Sequence, residues 1–435
     1  MDQEGIRWPD PVALLRASRG LMSDATRFHL GRQPIVAGER RLVGWAVFFA
    51  TPAGERLRPG PGTSEEYLAA ASAFVRNAHW ESFLGGGRVV LAADRRLIFS
   101  DVIEHMPRNR VVLGLSPDEP IDSALAHRLH DLHGRRGTRM LFRGYSRRDP
   151  RDDLLDLADL VEIDGFGPDD DARDGLVRRA KRRHLQVLAV GVDRDRDFMR
   201  LRDAGFDLFQ GQSHTEPSAS GETLANEDGR ILIRLLAESH GELEIDSVTR
   251  TLAENPGLEE ALLRLVNSLE LARAQRIECP GQALILIGAK GLRRWLSLLL
   301  FQVGARHGSR GPLFRSAASR ARMMELLALG GDGRTSIATG KDRAEAAFLV
   351  GILSLVHVLL GTDRDAAIED LDLPFEIAAA LSEFAGELGR LLRLVICLDR
   401  ADFVEVAEVA GELAIDPATL RAMQCDAQDW VFRLD

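Results

Sequence analysis

Short apolar runs recur through the first half of the chain, too brief for helices. FHLGRQPIV at 28–36, RLVGWAVFF at 41–49, RVVLAAD at 88–94, RVVLGLS at 110–116, TRMLF at 138–142, LVEID at 160–164, LQVLAVG at 185–191 and FDLFQ at 206–210 are dominated by Val, Leu, Ile and Phe. Such runs read as strands. Stretches of helical periodicity separate them; the first, at 64–83, is opened by Thr63 and Glu66 in capping-box spacing. Strand and helix alternating in this way predict a (β/α)8 barrel, with an open doubly wound sheet as the alternative. The strand signal stops at EPSASG, 216–221. Beyond it, segments such as EALLRLVNSLELA, AEAAFLVGILSLVHVLL and ELGRLLRLVICL place apolar residues on broad helical faces. Asp246 is a candidate cap for a helix ending near Asn255-Pro256, Pro374 suits a first helical turn, and Asp416-Pro417 is a strong helix start. The expected organisation is an N-terminal extension at 1–25, a barrel at 26–217 and an all-helical domain at 218–435.

The 435 residues, 45% hydrophobic and 28% charged, suit a soluble chain with more than one core. The most apolar stretch, 282–302, is interrupted by Lys290, Arg293 and Arg294, so it is expected to pack as a helix and not to cross a bilayer. The opening MDQEGIRWPD lacks the basic and apolar segments of a secretory signal, which predicts a cytoplasmic protein. Cys279, Cys397 and Cys425 are far apart and form no CxxC, so neither disulfides nor zinc are expected. A net charge of −10 argues against non-specific nucleic-acid binding. The basic run RRAKRRH at 178–184 then reads as a solvated helix face, as does HRLHDLHGRRG with His127, His130 and His133. Gly85–Gly87 lacks the GxxxxGK[ST] context of a phosphate loop and reads as a turn. The acids Asp169–Asp171 read as an exposed loop opening a helix.

Three ordered motifs change the picture. LGRQPIVAGERRLVGWAVFF at 30–49, VEID at 161–164 and GFDLFQGQSHTEP at 205–217 resemble the EAL domain, the bacterial barrel that hydrolyses cyclic di-GMP. Asn255-Pro256, LLRLVNS at 262–268, GQALILIGAKGLRRWLSLLLF at 281–301, RARMMELLA at 320–328 and FLVGILSLVH at 348–357 resemble HDOD, a helical signalling domain related to the HD phosphohydrolases. Together they imply an EAL-HDOD two-domain signalling protein.

The resemblance also implies a site, two divalent metals held by oxygen ligands at the C-terminal ends of the strands. Laid on that pattern, the signature glutamate falls at Ala46 and a substrate-contacting arginine at Ala50. The metal-binding asparagine falls near Ala92, the next glutamate at Gly114 and the aspartate pair at Arg143 and Gly144. The catalytic lysine becomes Glu162, and a later glutamate becomes Val190. Gln33, Asp164 and Gln210 remain as remnants of a ligand site. A one-residue slip does not restore the set, because 46–50, 89–93 and 111–116 contain no acid. In the helical half, Ser354 and Leu355 stand where the His-Asp metal pair would follow FLVGIL, and His357 reads as a core or boundary histidine. These losses predict a non-enzyme: no catalytic residues, no metal and no cofactor, a degenerate EAL domain acting with HDOD through protein-protein interactions. The expected partner is an unidentified signalling protein, with a homodimer as the expected assembly and Arg293, Arg294 and Trp295 as the candidate interaction surface. The rival readings are a non-hydrolysing cyclic di-GMP receptor and a residual phosphodiesterase. Loss of the phosphate-contacting arginine weighs against the nucleotide, although Arg143 restores some charge.

Overall fold

β1 (His29–Ala37) folds back antiparallel on β2 (Leu42–Ala50), with Gln33 opposite Ala46. A two-residue edge strand the sequence did not signal, β3 (Arg56–Leu57), pairs with the end of β2. β4 (Arg88–Ala93), β5 (Val111–Leu115), β6 (Arg139–Phe142), β7 (Leu160–Glu162), β8 (Gln186–Val190) and β9 (Leu208–Gln210) continue in parallel from β2, and β9 closes antiparallel onto β1. The result is a closed eight-stranded barrel with β1 reversed. Closure pairs both edges of every strand in the ring, which an open sheet cannot do, and decides between the two expected arrangements. This computed structural model describes residues 28–60, 64–77, 87–167, 169–217, 227–239, 245–268, 277–304, 311–330 and 340–434. The extension at 1–25 and the cap residue Thr63 lie outside them, as do Gly85 and Gly86.

Period-two alternation sorts the strands into two cores. Ile35, Ala37, Ala46, Val112, Leu141, Leu160, Leu188 and Leu208 fill the barrel interior. Their neighbours one step along, among them Leu91, Leu113, Phe142, Val161, Ala189 and Phe209, are buried against the surrounding helices. Those helices include Ser64–Asn77, Ser123–Arg136, Asp170–Arg182 and Asp195–Asp203. Asp122 and Asp169 cap two of them through the amides of Leu125 and Ala172. The basic run at 178–184 is a solvated face pinned by surface ion pairs, such as Arg179 with Asp152 and Lys181 with Asp207.

The C-terminal half is helical throughout its described residues. Its long helices are Pro280–Gly304, Pro312–Ala328, Gly340–Leu353, Gly386–Arg400 and Pro417–Phe432. Trp295, Phe301, Phe314 and Phe348 are fully buried among them. Gly351 lets two helices touch: a Cβ there would lie 2.6 Å from Ala321 Cα. The Asp416 carboxylate accepts from the amides of Ala418 and Thr419, capping Pro417–Phe432 as the sequence predicts. Asp246 differs from expectation, lying inside the helix Ile245–Ala253 and not ahead of it. The stretch Asp342–Leu360 is apolar and long enough for a membrane span, but 72% of its apolar window is buried, so packing accounts for its composition.

The chain forms two compact units. One contains the barrel to Glu216 together with Cys397–Gly411; the other contains Pro217–Ile396 and Glu412–Asp435. A boundary drawn from chain order at 217/218 leaves Cys397–Gly411 on the helical side. The structure groups that segment with the barrel because Phe403 packs against Gly31 and Gly54.

Candidate functional site

The C-terminal ends of the parallel strands open at one mouth, where inward positions follow from the interior core below them. Two residues beyond Val112, Leu141, Leu160, Leu188 and Leu208 stand Gly114, Arg143, Glu162, Val190 and Gln210. On β1 and β2 the same parity selects Gln33, Phe48 and Ala50. All of these but Phe48 are positions to which the EAL resemblance assigns function. A register slip of one would turn each toward the helices.

Two polar clusters occupy the mouth. Gln210 Nε2 donates to Gln33 Oε1 at 2.9 Å, bringing two predicted remnants together. Across the ring, Arg143 Nε donates to Glu162 Oε2 at 3.1 Å while the arginine stem lies over Gly114, where a Cβ would be 3.0 Å from Arg143 Cδ. The third remnant, Asp164, joins neither cluster; it is exposed and accepts from the amide of Phe166 within its own loop. Asp94 and Asp193, the acids nearest two positions where the resemblance expects ligands, are likewise committed to backbone. Asp94 caps Arg95–Phe99 through Leu97 N, and Asp193 accepts from Gln212 N.

Nothing in the sequence singles out Arg56, because β3 is two residues long and its arginine looks like ordinary surface. Its guanidinium lies 4.0 Å above the Phe48 ring. Although the residue as a whole is exposed, Arg56 is pushed down to about 10 by partial burial of its charged group and by the nearby positive charges of Arg58 and Arg143. Arg56, Arg58 and Arg143 thus lie near one another at the mouth, with Glu162 paired to Arg143. Beneath it, Arg151 and Asp149 form an ion pair with no side-chain exposure on either partner. Arg151 also donates to the carbonyls of Leu115 and Arg143, at 2.6 and 2.8 Å, tying the ends of β5 and β6 together.

The donor set does not fit a pair of divalent cations. Hard cations require several converging oxygens, and among the described residues no three His, Cys, Asp or Glu side chains converge to hold a metal. In the helical unit, Ser354 donates to Gly351 O and accepts from Arg320, as a structural hydroxyl does. His357 is half-buried, and its Nδ1 has no hydrogen-bond partner. Burial, followed by the charges of Arg364 and Arg320, lowers it from 6.5 to about 4. The unfolded chain takes up this proton first, so stability is expected to fall as pH drops from about 6.5 toward 4. A urea series whose His357→Gln variant keeps the full pH slope of the parent would exclude that contribution.

The proposed interaction surface needs correction. Trp295 is fully buried, and Arg294, 6% exposed, makes a bidentate pair with Glu325 at 2.5 and 3.0 Å. Arg293 reaches Glu345 and the carbonyl of Ser239, both at 2.9 Å. Pro280–Gly304 is a core helix, and its two arginines are spent on internal pairing.

Comparison with known proteins places these observations. The HDOD domain family matches residues 231–360. A Vibrio cholerae protein named cyclic di-GMP phosphodiesterase CdgJ is 27% identical over 416 residues, spanning 92% of this chain and 92% of its own. The uncharacterized protein YuxH of Bacillus subtilis is 23% identical over 94% of this chain and 99% of its own. Among solved structures, the PaMucR phosphodiesterase in complex with c-di-GMP is 14% identical, covers 43% of this chain and 95% of its own, and has a TM-score of 0.36. The chain thus joins a barrel resembling EAL domains to an HDOD domain. The expectation of a non-enzyme, catalytically inactive by loss of motif residues, is overturned by the first of these relatives. It shares the two-domain span and is named a phosphodiesterase, so the lost motif residues do not establish inactivity.

Proposed function

We propose that this chain is a cyclic di-GMP signalling protein whose barrel mouth engages the nucleotide. The arginine cluster carries this reading: Arg58 and Arg143, the latter paired with Glu162, lie near Arg56. The Phe48 ring lies under Arg56, and the Gln33–Gln210 amide pair faces them across the mouth. A cyclic dinucleotide brings two phosphate charges, two hydrogen-bonding base edges and flat aromatic faces. Arginines suit the first, amides the second and a ring the third. The name of the Vibrio cholerae relative, aligned over the same span, supports the same ligand.

Calorimetric titration with cyclic di-GMP tests this directly. Wild type is expected to bind, with affinity that weakens as salt rises. Arg56→Ala and Arg143→Ala are each expected to weaken binding about tenfold, the size of one charged hydrogen bond at roughly 1.5 kcal/mol. Chromatography of the same samples with Mg2+ or Mn2+ reads the chemistry separately, since a linear dinucleotide product identifies turnover. Absence of binding by wild type at low salt overturns the proposal.

A further inference from the structure

The rim of the barrel is completed by chain from the far end of the sequence. Cys397–Gly411 belongs to the barrel unit, whereas the residues on both sides of it belong to the helical unit. Gln33 Nε2 donates to the carbonyl of Arg400 at 3.1 Å, and Gln212 Nε2 donates to the carbonyl of Asp399. Phe403 is seated where the barrel lacks side chains. A Cβ on Gly31 would come within 2.7 Å of Phe403 Cζ, and one on Gly54, whose φ is +87°, within 2.4 Å of the Phe403 carbonyl oxygen. A glycine inside a strand marks such a close approach. The turn into the segment is strained: Ala401 has φ +55°, a left-handed conformation unfavourable for a non-glycine residue.

These contacts consume the amides of the mouth. Gln33 gives one N–H to Arg400 and accepts from Gln210, so a base edge meets that amide half occupied while the segment is seated. We propose that residues 399–403 are a latch on the barrel mouth. A cyclic dinucleotide competes with it for Gln33 and Gln212, and occupancy reaches the helical unit as release of Cys397–Gly411. This deepens the function proposed above and rests on it. Backbone strain at Ala401 favours release, and the Phe403 seat opposes it, as a two-state element requires.

Two variants of the full chain test the latch from opposite sides. Gly31→Ala crowds the ring from the barrel, and Phe403→Ala removes it from the segment without touching β1. Hydrogen exchange of peptides covering 397–411 reads the seat, as does thiol labelling of Cys397, buried in the parent, against exposed Cys279. Both variants are expected to raise exchange and Cys397 labelling without ligand, and cyclic di-GMP is expected to do the same to wild type. If the latch is seated about nine-tenths of the time, its release tightens apparent nucleotide affinity about tenfold. Binding by wild type with unchanged protection at 397–411, and no tighter binding by either variant, overturns the latch and leaves the nucleotide-facing mouth standing. Failure of wild type to bind the nucleotide at low salt overturns that reading, and the latch falls with it.

Discussion

Arg294→Glu is expected to unfold the helical unit or lower its stability by about 3–5 kcal/mol, as breaking a buried ion pair does. That is a large share of the 5–15 kcal/mol that typically holds a domain together. Glu325 would lose its bidentate partner and face a second carboxylate, while Arg322 alone, 2.8 Å from Glu325 and already paired with Asp426, would remain to balance three acids. The guanidinium also lies 3.9 Å over Phe348 and 5.3 Å from the Trp430 ring centroid, contacts a glutamate cannot replace. Burial alone would raise the Glu325 carboxyl; the charges of Arg294 and Arg322 more than reverse this and hold it below 4.5. A folded-state pKa below the unfolded value gives stability that is present above about pH 4.5 and lost as pH falls through the lower, folded value. Urea unfolding followed by the fluorescence of Trp295 and Trp430 reads both effects. A charge reversal on exposed surface would stay within about 0.5 kcal/mol, so a variant that unfolds like its parent would refute the burial of Arg294.

The same helix shows where sequence reasoning stops. Pro280–Gly304 carries apolar residues on most of its circumference, which marks a buried helix. Two adjacent arginines on such a helix imply internal carboxylates. Their actual partners, Glu325 and Glu345, lie 31 and 52 residues away and could be named only from the fold. The barrel was more legible, because period-two alternation is a local property: Val112, Leu141, Leu160, Leu188 and Leu208 announce the interior, and counting two residues onward reaches the mouth. Gln33 and Gln210 were legible by motif, and closure of β9 onto β1 brings them together. Arg56 was not, since its relevance comes from β3 pairing with the end of β2 and from Arg143, far along the chain. Nor was the seat of Phe403, because LDRADF at 398–403 reads as an ordinary interhelical turn and its partner Gly31 lies 372 residues earlier in the sequence.

Asp149→Ala is expected to be the most damaging single change in the barrel, for a reason that reaches the mouth. Arg151 has no exposed side-chain surface, and three of its contacts go to Asp149: the backbone amide to Oδ1 at 2.9 Å, Nε to Oδ1 at 2.7 Å and Nη2 to Oδ2 at 2.6 Å. Removing the carboxylate leaves a desolvated guanidinium with only the carbonyls of Leu115 and Arg143 and the face of Phe142, at a cost of about 3–5 kcal/mol. Replacing both partners, with Asp149→Leu and Arg151→Met, is expected to recover only part of the loss, because those two carbonyls would then lack their donor. Burial raises the Asp149 carboxyl, but the hydrogen bonds from Arg151 outweigh it and leave it below 3.8. Its stabilising contribution is therefore complete above about pH 4 and disappears in stronger acid. The milder Asp149→Asn keeps the side-chain shape and gives up the charge, so it should fold while loosening the end of β6 that carries Arg143. Hydrogen exchange of peptides covering 139–151 should rise in this variant, and cyclic di-GMP affinity should fall with it. If exchange rises while affinity is unchanged, Arg143 is not held in place by this pair; if neither moves, the pair does not order the mouth.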